Sequence, residues 1–135
     1  MAHPAMARPS PAYLDTNVTV WVAEGKLTKI TAAAKRILES ADLLISPMVL
    51  IELQYLYELK RIKVPARDIL LKIQHEIGVQ VCGIPFPVVA NVMLDENWTR
   101  DPFDRMIVSQ AKANGLAMLV SSDGEIAAHY QRTIW

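Results

Sequence analysis

The sequence predicts an α/β domain with a mainly parallel central sheet. Short apolar, strand-like runs alternate along the chain with segments of helical periodicity, the arrangement that joins parallel strands through helical crossovers. Two serine- or aspartate-proline pairs, Ser46-Pro47 and Asp101-Pro102, each open such a helical segment, because proline loses nothing at a position whose amide would be unpaired anyway. The chain has 135 residues, 52% of them hydrophobic, enough for one buried core but not for two.

Residues 1–11, with Pro4, Pro9 and Pro11 and no apolar core, read as a flexible N-terminal tail ahead of a domain over 12–135. The first strand is placed at about Ala12–Thr16, and a short helix at Val18–Ala23 stops before Gly25. The next helix is placed at Thr28–Ser40, where Ile30, Ala33, Ala34, Ile37, Leu38 and Ala41 recur at helical spacing. Leu43–Ile45 is a buried strand, and the helix opened by Ser46-Pro47 reaches about Lys60. Ala66–Ile77 is helical, with Ile69, Ile73 and Ile77 in line and Gly78 as its stop. Val79–Cys82 is a weak strand, and Pro87 opens a short helix to Leu94. The helix opened by Asp101-Pro102 runs through Ala113. Leu116–Ser121 is a strand, Asp123-Gly124 a turn, Glu125–Tyr130 a short helix and Thr133–Trp135 an edge strand.

Fourteen basic and fourteen acidic residues give zero net charge, so any nucleic-acid binding must be local or assisted by a cation. Cys82 is the single cysteine, which excludes an internal disulfide and suits a reducing, cytoplasmic setting. No apolar run is long enough to span a membrane. His3, His75 and His129 lack mutual ligand spacing, which argues against zinc. Trp98 reads as packing rather than a stacking platform, and Lys60, Arg61 and Lys63 as a solvated helix end.

The carboxylates are the informative residues. Asp15 falls at the C-terminal end of the first strand and Asp123 just past the strand Leu116–Ser121, where open α/β sheets build their ligand sites. Glu52 lies in the second turn of one helix and Asp104 in the first turn of another, and both helices begin at that same sheet edge. Taken singly, Asp101 and Asp104 occupy capping-box positions, and Asp123-Gly124 is an ordinary turn. Taken together, four acids converge. Two carboxylates about 4 Å apart repel by roughly 4 kcal/mol at an effective dielectric of about 20, so such a cluster needs protons or a cation. An all-oxygen donor set suits Mg²⁺ or Mn²⁺, which works with phosphate oxygens and water and so points to phosphodiester chemistry.

The same residues carry a family resemblance. Tyr13-Leu14-Asp15-Thr16-Asn17, Ile45-Ser46-Pro47 through Glu52-Leu53, Asp101 to Ala111, and Leu119 to Asp123 resemble, in order, the motifs of PIN domains, and in particular of VapC-like toxin ribonucleases of VapBC-type toxin–antitoxin pairs. The resemblance implies a PIN-like parallel sheet flanked by helices and an Mg²⁺- or Mn²⁺-dependent endoribonuclease. It places Asp15, Glu52, Asp104 and Asp123 at the acidic catalytic and metal positions, with Thr16 and Ser121 holding them by hydrogen bonds. It further implies an RNA substrate, a VapB-like antitoxin and a homodimer. Arg100 and Arg105, next to the third motif, are candidate phosphate-binding residues. Asn17 stands where the family often has histidine, and Ser121 where it often has threonine.

Other classes fit less well. A haloacid-dehalogenase-like phosphatase requires a second Asp where Asn17 stands, and a receiver domain requires an adjacent acidic pair. A catalytically inactive PIN-like scaffold is the remaining alternative, and the presence of all four acids counts against it.

Overall fold

In the computed structural model, which describes residues 9–135, the first strand is the middle of the sheet. β1 (Pro11–Leu14) pairs in parallel with β2 (Asp42–Ile45) on one side and with β4 (Met118–Val120) on the other. β3 (Gln80–Val81) extends the sheet beyond β2, and β5 (Thr133–Ile134) beyond β4, so the order is β3-β2-β1-β4-β5 with every pairing parallel. Ala12, Tyr13 and Leu14 are fully buried, as expected of a central strand covered on both faces. Residues 1–8 of the tail expected from sequence lie outside the described residues. Pro11 already belongs to the sheet, and the Ser10 carbonyl just before it accepts from Asp42 N at 2.9 Å.

Seven α-helices cover the described sheet: α1 (Thr16–Ala23), α2 (Ala32–Ser40), α3 (Pro47–Glu58), α4 (Ala66–Ile77), α5 (Phe86–Met93), α6 (Pro102–Ala113) and α7 (Gly124–His129). α1, α3 and α4 pack on one another, and α6 lies between α3 and α5. α4 ends where Gly78 turns left-handed, at φ 69°, a conformation in which side chains with a Cβ are strained.

Two elements depart from the sequence expectation. The helix expected over Thr28–Ser40 is divided into a 3-10 turn at Leu27–Lys29, extended backbone at Ile30 and Thr31, and then α2. Thr31 is the reason, because its side chain caps α2 by accepting from Ala34 N at 3.2 Å, and an N-cap residue must be non-helical. The Asp123-Gly124 turn is likewise the start of α7, with Asp123 as its cap.

A buried polar chain joins the helices to the sheet. Asn114 Nδ2 donates to Tyr13 Oη (2.9 Å), which lies 3.0 Å from Cys82 Sγ. Gln110 Nε2 donates to that sulfur (3.2 Å), and Ser46 Oγ donates to Gln110 Oε1 (3.0 Å) while capping α3 at Met48 N (3.1 Å). The start of α3 is thereby tied, side chain to side chain, to the C-terminal half of α6. No helix among the described residues is long and apolar enough to cross a membrane.

Candidate active site

Strand order reverses direction at β1, which lies between β2 and β4, and open α/β sheets build their ligand sites at the strands' C-terminal ends at such a point. Asp15 stands at that point, buried. It leaves β1 as the N-cap of α1, its Oδ1 accepting from Thr16 N at 2.8 Å, while Asp15 N donates to Val120 O across the β1–β4 pair at 3.0 Å. Ser121, at the end of β4, donates from Oγ to Asp15 Oδ2 at 2.6 Å, and the same Oγ accepts from Asp123 N at 3.1 Å. Ser121 therefore bridges two acids that are far apart in sequence. Thr16 does the same on the other side, its hydroxyl donating to Glu52 Oε1.

The helix starts place the remaining acids. Asp123 caps α7 through Oδ1, accepting from Glu125 N (2.8 Å) and Ile126 N (3.1 Å). Asp101, not Asp104, caps α6, accepting from Phe103 N (2.9 Å) and Asp104 N (3.4 Å). The capping box that the spacing suggests is not closed, because Asp101 N donates to Thr99 Oγ1 instead. Asp104 is left with no hydrogen bond to its carboxylate among those of the described residues.

The acids are close enough to disturb one another. Burial pushes the Asp104 carboxyl up to about 7, and repulsion from Asp101, Asp15, Asp123 and Glu52 adds to it. Asp15 is also raised, chiefly by burial and then by Asp123 and Asp101, against the lowering effect of the Ser121 and Thr16 hydrogen bonds. Glu52 is raised by burial and by Asp15 and Asp101, with the Thr16 hydrogen bond opposing. The ion pairs of the described residues, Lys26–Glu24, Lys72–Glu76 and Lys112–Glu96, all lie elsewhere. Among the described residues none of the four acids is in an ion pair.

Sequence reasoning treated Asp101 as a cap alone. It is a cap, yet it also repels Asp15, Glu52 and Asp104. Its position three residues before Asp104 is the signal that connects the two.

The donor set fits a hard divalent cation, being all oxygen and short of positive charge. Among the described residues, however, no group of three His, Cys, Asp or Glu side chains is gathered closely enough to hold an ion by itself. The two observations agree if the ion keeps much of its water and takes one or two carboxylates directly, as magnesium does.

The two candidate arginines point elsewhere. Arg105 Nε donates to Met93 O at the end of α5 (2.9 Å), and Arg100 Nη1 donates to Asn97 O (3.3 Å). Both line a shallow groove with Phe86, Ala90, Met93, Leu94 and Pro102. Trp98 is engaged too, stacked on His129 with ring centroids 4.8 Å apart and donating from its indole to Glu96 at 2.7 Å.

Residues 12–131 match the family described as PIN domain. No curated protein sequence matches the chain significantly. Among solved structures, the fold is similar to that of VapC20 of Mycobacterium tuberculosis, described as a Sarcin-Ricin loop cleaving toxin, with TM-score 0.58 and 20% identity over 87% of this chain and 94% of that one. It is also similar to VapBC2 of Rickettsia felis bound to a DNA fragment from their promoter, with TM-score 0.56 and 17% identity over 87% of this chain and 92% of that one. At these identities the likeness is one of fold.

Proposed function

The chain belongs to the PIN-domain family, and from that premise we propose that it is a divalent-metal-dependent endoribonuclease, the VapC-like toxin of a VapBC-type pair. The observation that carries the reading is the electrostatic coupling of Asp15, Glu52, Asp104 and Asp123 at the sheet's switch point, with Asp104 pushed up to about 7. A site that disfavours its own ionisation is suited to a cation rather than to isolated acid–base work.

In this reading Asp15, Glu52, Asp104 and Asp123 hold Mg²⁺ or Mn²⁺ directly or through water. When bound, the ion supplies an acidified water and shields the phosphate's charge. The chain's own contribution is alignment. Ser121 fixes Asp15 against Asp123, Thr16 fixes Glu52 against Asp15, and the Ser46–Gln110 bond keeps α3 and α6 in register. Arg100 and Arg105 reach phosphate only by leaving their present backbone carbonyls.

A VapB-like antitoxin and a second copy of the chain are the proposed partners, supported by apolar side chains left in solvent on α4 and α5, among them Leu71, Phe86 and Val88. A cytoplasmic location is proposed because the one cysteine is free and buried. Incubating structured and single-stranded RNAs with the protein in Mg²⁺ and in excess EDTA tests the enzyme. Cleavage confined to the Mg²⁺ samples is expected; no cleavage of any RNA favours the inactive scaffold.

A further inference from the structure

Next to the acid cluster stands an aromatic ledge that the proposed chemistry does not use. Tyr55 follows Glu52 by one helical turn on α3, which puts the two side chains on the same helix face. Phe103 precedes Asp104 directly on α6. The Tyr55 and Phe103 rings meet with centroids 5.9 Å apart and planes inclined by 34°. The pair thus bridges the two acid-bearing helices. Tyr55 nonetheless remains 50% exposed, which is a large π-face to leave in water beside a buried acid site.

Beyond the ledge, where α3 ends, the charge changes sign. Lys60, Arg61, Lys63 and Arg67 are exposed, and none is in an ion pair with another described residue. The segment 59–67 carries these four bases and no acid. A ligand lying along α3 from Glu52 towards Lys60 passes, in order, a carboxylate site that takes phosphate through a cation, the exposed Tyr55 backed by the half-buried Phe103, and, past Glu58, an end with four bases. A single-stranded polynucleotide has that alternation of anionic backbone and flat apolar base, and base–aromatic stacking is tolerant of sequence. Trp98, the other candidate platform, is already stacked on His129.

We propose that Tyr55 and Phe103 form a base-stacking subsite that receives an unpaired nucleobase of single-stranded RNA, with Lys60, Arg61 and Lys63 holding the adjoining backbone. The proposal rests on the nuclease reading and adds to it the side chains that receive a base beside the acid cluster.

The test is binding of a fluorescein-labelled oligoadenylate of about ten nucleotides, a length that spans a typical single-strand site, read by anisotropy in Ca²⁺ buffer. Its comparison ligand is the same chain with abasic central positions, equal in charge. Wild type is expected to prefer the base-bearing chain on the order of 10-fold. Tyr55→Ala loses that preference, Tyr55→Phe keeps it, and Lys60→Ala weakens both ligands alike. The subsite is overturned if wild type does not distinguish the two ligands, or if Tyr55→Ala weakens both equally. It is also overturned if Tyr55→Ala leaves the preference intact but shifts the oligomeric state in light scattering, which would make the ledge a protein contact. RNA cleavage in Mg²⁺, measured separately, reports on the nuclease reading, so the two can fail independently.

Discussion

Asp104 shows most directly what the acid cluster costs the fold. Its carboxyl is near 7 in the folded chain against an ordinary 3.8, so the folded state binds this proton more tightly than the unfolded state does. Stability from this group is therefore fully present below about pH 4, falls as pH rises from about 4 to 7, and stays lost above. Asp104→Asn removes the penalty. Without divalent metal at pH 7.5 the variant is expected to melt higher than wild type by a few degrees, on the order of 1 kcal/mol after allowing for solvent screening. At pH 4 the two should converge. RNA cleavage should fall by about 10² or more, the usual scale of a lost electrostatic contribution. Thermal melts at the two pH values, run beside cleavage assays, check both; a variant that melts no higher at pH 7.5 would show that Asp104 is not under charge strain. Strand ends and helix starts in the sequence made this residue and its three partners legible. They could not show that Asp101 shares the repulsion, since a helix cap and a member of a charged cluster look alike until the site is built.

At the scale of elements, several acids do two jobs, and substitution separates them. Asp123 caps α7 and also repels Asp104. Asp123→Asn retains a capping oxygen and should melt close to wild type, whereas Asp123→Ala should lose about 1 kcal/mol; both should lose cleavage. Equal melting of the two variants would show that the cap contributes nothing. Gln110 carries no charge but joins Ser46, at the start of α3, to Cys82 and is fully buried. Gln110→Ala opens a cavity and strands the Ser46 hydroxyl, with an expected cost of about 2 kcal/mol or more in denaturant unfolding. No loss of stability would mean that the polar chain is dispensable. The cap-and-proline signals at Ser46-Pro47 and Asp101-Pro102 made the starts of α3 and α6 readable. Thr31 misled because Ile30, Ala34 and Ile37 keep helical spacing across a break that one side-chain hydrogen bond creates. Gln110, flanked by Ser109 and Ala111, gave no sign in sequence of its partners on distant elements.

For the whole molecule, the exposed apolar residues of α4 and α5 are the main unspent feature. Light scattering at micromolar concentration is expected to give a species of twice 15.1 kDa; a 15.1 kDa particle at all concentrations would leave those faces to another partner. The all-parallel sheet has a different consequence, one of timing. β1 leaves the ribosome first, yet one of its two neighbours is β4, a hundred residues later, and Asp15 N waits for Val120 O. Synthesis at about 5–20 residues per second delays that pairing by many seconds. Such long-range strand pairing is also intrinsically slow to fold. Asp15 and Asp123 therefore meet only after β4 and the turn that follows it have been made, so a shorter nascent chain holds no assembled acid cluster. A chain cut short before Met118 lacks β4, Ser121 and Asp123 together, so the strand that closes the sheet on β1 also completes the acid cluster.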